Sequence, residues 1–219
     1  GENRVQEIVD KQSKLPDDIE WHMIGHLQKN KVKYIAGFIK LIHSLDRISL
    51  AKEIDRQAKK EDRIIDCLIQ IKISKEDSKF GLKIEDFTDF YKNMETFKNL
   101  NISGLMGMAT FTSDIKVIGE EFKMIKRIYD NVASIDPKFR VLSIGMSDDY
   151  NIAIENYNLN TFKAIQLSQK INSKFYIITL FTKNDFLNLK SDFGENYFFP
   201  NIKKILEKFP ELKWIDTRE

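Results

Sequence analysis

The chain has 219 residues, of which 42% are apolar and 31% charged, and Lys and Arg exceed Asp and Glu by only 2. That balance places it among globular proteins with a sizeable buried core, not among disordered chains. No sustained basic stripe points to nucleic acid, the longest apolar run (175–181) is far too short to span a bilayer, and a lone cysteine excludes an internal disulfide.

Cys67 without a partner fits a reducing compartment, and three histidines with one cysteine match no zinc spacing. The sequence opens Gly-Glu-Asn, with neither an initiator Met nor a secretory pattern. It is read as a fragment or a processed product, with the cytoplasm as the expected location.

In chain order, short apolar runs alternate with amphipathic stretches. Residues 19–25, 38–45, 63–73, 101–109 and 139–146 are predicted strands. Between them, residues 50–60 place Leu50, Ile54 and Ala58 on one helical face. Residues 84–97 do the same with Phe87, Phe90, Tyr91 and Met94, and residues 118–132 with Phe122, Ile125, Ile128 and Tyr129. Near-continuous apolar strands alternating with helices imply an α/β fold with a parallel sheet covered on both faces. Five such units in sequence favour a closed (β/α)8 TIM-type barrel over an open sheet, although periodicity does not decide between them. In a barrel the functional positions are the strand C-termini, here around Gly25, Asp46, Lys72, Met108 and Ser143.

Those strand ends carry the motifs GENRVQE (1–7), WHMIGHLQKNK (21–31), IHSLDR (42–47), LIQIKISKEDSKFG (68–81), GLMGM (104–108) and LSIGMSDDYNIAI (142–154). In this order they resemble the successive signatures of the YggS-like pyridoxal 5'-phosphate (PLP) homeostasis family. The resemblance implies a fold-type-III barrel of the alanine racemase N-terminal type, usually monomeric, holding PLP as a lysine aldimine without turnover. It further implies a role in intracellular vitamin B6 homeostasis, with PLP-dependent enzymes as possible recipients, and no membrane or nucleic-acid partner.

Carried over by position, Asn3 lies beside the cofactor, Ile24, Gly25 and Met106 frame its ring, and Ser143 is the phosphate-binding serine. Gly145 and Met146 form the adjacent backbone turn. Physical chemistry agrees with such a phosphate site. A strand that opens a helix presents free N–H groups and a favourable dipole, Gly145 permits close backbone approach, and Ser147 or Asp148 suits the helix cap.

Two family features are missing. Relatives carry a Schiff-base lysine on a strand before GEN, and an Arg-Ile-Gly-Ser/Thr turn on the strand after the SDD helix. After Glu155 this sequence reads NYNLNTFKAIQ. The tail instead resembles a restart of the family pattern. Residues 165–174 are similar to its first helix, 175–183 to its first strand ending in a lysine, and 192–198 hold a second GEN. We therefore divide the chain into a barrel core (1–156) and a degenerate restart (157–219) expected to close the same barrel.

Lys183 is the expected aldimine lysine. At the end of a buried strand a lysine is desolvated, its pKa falls, and the neutral amine can attack an aldehyde. A lysine that merely snorkels from a strand end is the competing reading. Asn196 of the second GEN competes with Asn3. His22, His26 and His43 are read as barrel histidines satisfied by partners, and Asp148 and Asp149 as helix-start residues and not a catalytic pair. No catalytic residue and no metal site are assigned. Two other functions stand beside cofactor binding: a cofactor-free barrel with an interaction role, and a racemase-like PLP enzyme, which needs a second acid/base that the sequence does not supply.

Overall fold

The computed structural model describes residues 1–74, 76, 79–146, 148, 149, 152, 153 and 176–180. Among the described residues, six strands form one parallel sheet: β1 (His22–Met23), β2 (Leu41–Leu45), β3 (Ile65–Ile71), β4 (Leu100–Gly107), β5 (Val141–Met146) and β6 (Tyr176–Leu180). Their order in space is their order in the chain. An open doubly wound sheet reverses direction at a switch point, whereas a sheet that advances one neighbour at a time curls toward a barrel. The order thus decides what periodicity left open, and the arc is part of a (β/α) barrel.

Residues along each strand alternate between two environments. Ile42, Cys67, Ile69, Leu105, Leu142 and Ile144 join the larger core under the helices. Leu41, Leu68, Met106 and Val141 form a separate small cluster with Met108 against it. This second cluster is the inner layer of the barrel, built by residues that alternate one by one with those facing the helices. Gly104 lies where β4 crosses β5, and any Cβ there would collide with the Val141 carbonyl. The β3–β4 register shifts at Cys67/Leu68, opposite this point.

Helix α2 (Ile48–Lys60) buries Leu50, Ala51, Ile54 and Ala58, the face that the apolar spacing predicts. Asp62 (φ 51°) ends it in the left-handed region, where short polar side chains are tolerated, and the Arg63 amide donates back to the Ala58 carbonyl at 2.9 Å. Helix α3 (Phe87–Met94) follows a single 3-10 turn and buries Phe87, Phe90 and Met94. Helix α4 (Ile115–Ala133) starts three residues before the apolar pattern does. The Asp114 carboxylate accepts the Lys116 and Val117 amides at 2.9 and 3.4 Å and caps it there.

Two elements lie outside the strand–helix pattern read from the sequence. Helix α1 (Val5–Gln12) buries only Val5 and Ile8, so its apolar stripe is too thin to stand out among polar neighbours. The β1–β2 crossover is a 3-10 helix, Lys29–Tyr34, which buries Val32 alone. The Arg63 guanidinium donates to the Ala36 and Ile39 carbonyls, at 2.6 and 2.9 Å, and holds the end of that crossover. Among the described residues, no helix is long and apolar enough to cross a membrane.

Candidate functional site

The polar groups inside the arc lie one above another on the inner face. Leu41 and His43 are two apart on β2, and Val141, Ser143 and Gly145 occupy the same face of β5. The His43 side chain spans the interior. Its Nδ1 is 3.1 Å from the Ser143 hydroxyl oxygen, and its Nε2 is 3.1 Å from His22 Nδ1. Three strands, β1, β2 and β5, are thereby joined by one chain of hydrogen bonds beside the apolar side chains of Leu41, Leu68, Met106 and Val141. Ser143 and His43 are both fully enclosed.

Burial decides the charge of these rings. Desolvation lowers His22 from 6.5 to about 4. It pushes His43 well below the ordinary value, with the neighbouring His22 adding to the effect. Both imidazoles are neutral near pH 7, so each offers one N–H and one lone pair. The sequence reading of these two rings as partner-satisfied matches this geometry. His26 differs: β1 ends at Met23, and His26 turns toward Asp46, 3.8 Å away, and stacks on Phe80 with ring centres 3.9 Å apart.

The other proposed site residues fall at the same end of the sheet. Asn3 belongs to a short extended segment beside β1, where the Glu2 amide donates to the His22 carbonyl and the Ile24 amide to the Glu2 carbonyl, both at 3.0 Å. Gly25 packs against the Asn3 backbone so closely that a Cβ would collide with its carbonyl. Met106 is buried in the inner layer, directly opposite Ser143 in the β4–β5 register. Gly145 has φ 86°, a conformation open to glycine, and adds no side chain above the Ser143 hydroxyl. The Met146 amide donates to the Asp149 carboxylate, and the Asp149 amide returns to the Met146 carbonyl at 3.1 Å. The Asp149 carbonyl accepts the Ala153 amide at 3.0 Å, so Asp149 sits at the helix start, as read for it from the sequence. Burial raises the Asp149 carboxyl above its usual range. Lys183, Ser147 and Asn196 lie outside the described residues.

The loops at this end are pinned by groups that carry no sequence signature. Gln70 on the inner side of β3 donates to the Phe80 carbonyl at 3.0 Å. Gly81 (φ 138°) lets the loop return against β3, where a Cβ would sit 2.6 Å from the Lys72 amide. The buried Glu121 carboxylate on α4 accepts the Thr110 amide at 2.7 Å and its hydroxyl at 2.6 Å. Glu76 accepts the Phe111 amide at 2.8 Å, which ties the loops after β3 and β4 together.

The interior can therefore offer a hydroxyl proton, a small-residue turn and a neutral imidazole pair to a ligand with an anionic end. Known proteins resemble this chain in sequence and fold. The alanine racemase N-terminal domain family matches residues 1–163. The pyridoxal phosphate homeostasis protein of Aquifex aeolicus is 38% identical over 157 residues, 71% of this chain and 69% of its own. Its Helicobacter pylori counterpart is 36% identical, with 70% and 69% covered. Among solved structures, PipY of Synechococcus elongatus without PLP superposes with a TM-score of 0.68 at 26% identity, over 83% of this chain and 78% of PipY. The PLP-bound form of PipY gives 0.65 at 25% identity with the same coverage. These relatives are named for homeostasis and not for a reaction. The chain belongs to the alanine racemase N-terminal domain family and, within it, to the pyridoxal phosphate homeostasis proteins.

Proposed function

We propose that this chain binds PLP inside the barrel, without turnover, and takes part in intracellular vitamin B6 balance. The observation that carries the reading is the Ser143 hydroxyl on the inner face, beneath the side-chain-free Gly145 and opposite Met106. Ser143 and the turn through Gly145 and Met146 would hold the phosphate, and Asn3, Ile24, Gly25 and Met106 would frame the ring. When bound, the ring supplies an aldehyde and an electron sink. Lys183 is the amine proposed to hold the aldehyde. Its strand, β6, runs parallel beside β5, with Ile178 opposite Ser143, and ends three residues before it. That neighbour supports the further proposal that residues 157–219 close the barrel begun by 1–156.

A cytoplasmic monomer that passes PLP to dependent enzymes is the form in which this role is expected. The absence of turnover is supported by relatives named for homeostasis and not for a reaction, and by the bonding of His22 and His43 to each other inside the barrel. An absorbance scan on adding PLP to the full chain tests the reading. A band in the region of a lysine–aldehyde adduct, lost in Lys183→Ala, is expected. No band, or one unchanged by the substitution, rejects it.

A cofactor-free barrel is the second reading. It is favoured by one observation, the Met146 amide already taken by Asp149. Purified protein without PLP, and without affinity for added PLP, would establish it.

A further inference from the structure

The His22–His43–Ser143 chain has two neutral arrangements, and they differ at the site. In the first, Ser143 donates its proton to His43 Nδ1, His43 donates from Nε2 to His22 Nδ1, and His22 carries its proton on Nε2. In the second, every bond reverses: His22 donates from Nδ1 to His43 Nε2, and His43 donates from Nδ1 to the Ser143 oxygen. The Ser143 proton is then free. The contacts are the same 3.1 Å in either direction, and each neutral ring needs one donor and one acceptor. With both rings held neutral by burial, a charged intermediate is not the resting form of either arrangement.

An anion distinguishes the two. With no ligand, the first arrangement satisfies the buried hydroxyl proton inside the wall. A phosphate above Ser143 accepts that proton as a charge-assisted bond, which is stronger than the neutral one it replaces. Only the second arrangement permits this while keeping the Ser143 oxygen and both rings bonded. The layer around them is apolar, with Leu41, Leu68, Met106 and Val141, so an unmet N–H or O–H there is costly. Resting on the PLP-binding reading, we propose that His22 and His43 are positioning residues whose tautomers reverse together when phosphate binds, turning the Ser143 hydroxyl into a donor toward the barrel mouth. Protons balance: His43 moves its proton from Nε2 to Nδ1 and His22 from Nε2 to Nδ1. Water takes one proton at His22 Nε2 and returns one at the Ser143 end, with no net charge change.

The test is tautomer-resolved 15N NMR of histidine-labelled full-length protein, free and with saturating PLP or inorganic phosphate. Binding is followed separately by absorbance. His43 should move from the Nε2–H to the Nδ1–H form, and His22 with it, although His22 lies a ring away from Ser143. His43→Asn, whose amide can still donate to Ser143, should keep affinity within about threefold. His43→Leu should lose about tenfold, the loss of roughly one hydrogen bond. If PLP binds and both tautomers stay as they were, or Asn and Leu weaken binding equally, the relay is wrong and the cofactor reading survives. If PLP does not bind, both fall.

Discussion

His43 on β2 and Ser143 on β5 stand 100 positions apart in the chain, yet their side chains meet at 3.1 Å inside the barrel. The contact sets a buried, neutral, polar link across the inner layer, and His22 extends it to β1. Its cost and its use both follow from burial.

Acid should expose the cost. A histidine that titrates near 6.5 unfolded and about 4 folded binds its proton more weakly in the native state. Stability is therefore full above about pH 6.5 and is lost as pH falls toward 4, with a contribution from His22 on the order of 3 kcal/mol. His43, shifted in the same direction by burial, steepens the loss. Urea midpoints at pH 7, 5.5 and 4.5 should fall steadily, and a His22→Phe variant should show a shallower decline. Equal slopes in the two proteins would remove His22 from the account.

Gly104 and Gly25 both sit against backbone, but they should fail differently. A Cβ at residue 104 meets the Val141 carbonyl between two central strands, where neither backbone can yield. Gly104→Ala should cost about 4 kcal/mol or prevent folding, since backbone strain in the core is among the mechanisms that reach this size. Gly25→Ala pushes on Asn3, in an exposed segment at the sheet edge that can move away. It should lower the thermal midpoint by only a few degrees while displacing Asn3. A PLP affinity unchanged in Gly25→Ala would take Asn3 out of the proposed site.

How much of this was legible in the sequence depends on how many neighbours each element needs. Strands β3, β4 and β5 are buried on both sides, so their residues are apolar in runs and their positions are read within two residues. Strand β1 is shorter than the predicted 19–25, because among the described residues its far side pairs only with Glu2 and the chain turns away at Ile24. His22 and His26 share a face only if the strand continues, and it does not. The Ser143 motif is visible from family resemblance alone. Its bond to His43 is not, since no local pattern links residues on strands three apart. Glu121 and Gln70 were missed for the same reason: they read as ordinary polar positions, and only the tertiary fold turns them onto the Thr110 and Phe80 backbones.

Glu121 offers a direct check on the loop after β4. Its carboxylate is buried and accepts two bonds from Thr110. Glu121→Gln keeps the shape but places an amide NH2 where one of two donors points, so one bond is lost and one donor is left unmet. A loss of about 2 kcal/mol in unfolding free energy is expected, with faster amide exchange at Thr110. Protection at Thr110 equal to wild type would show that the loop is held by other contacts.

Asp149 should act against an incoming anion. Its carboxylate accepts the Met146 amide, occupying a donor that a phosphate would otherwise use, and it brings negative charge to the same turn. Desolvation already raises its pKa, which marks the carboxylate as poorly accommodated there. In Asp149→Asn the side-chain oxygen can still accept the Met146 amide, but the charge is gone. The variant should bind inorganic phosphate and PLP about threefold tighter or more, measured by fluorescence or calorimetry at pH 7. It should lose up to about 1 kcal/mol of stability through the weaker cap. The affinity gain should shrink as the pH approaches the range where the native carboxyl is itself protonated, because the two proteins then carry the same charge. Weaker binding in Asp149→Asn at pH 7 would mean that the carboxylate builds the phosphate turn and does not compete for it.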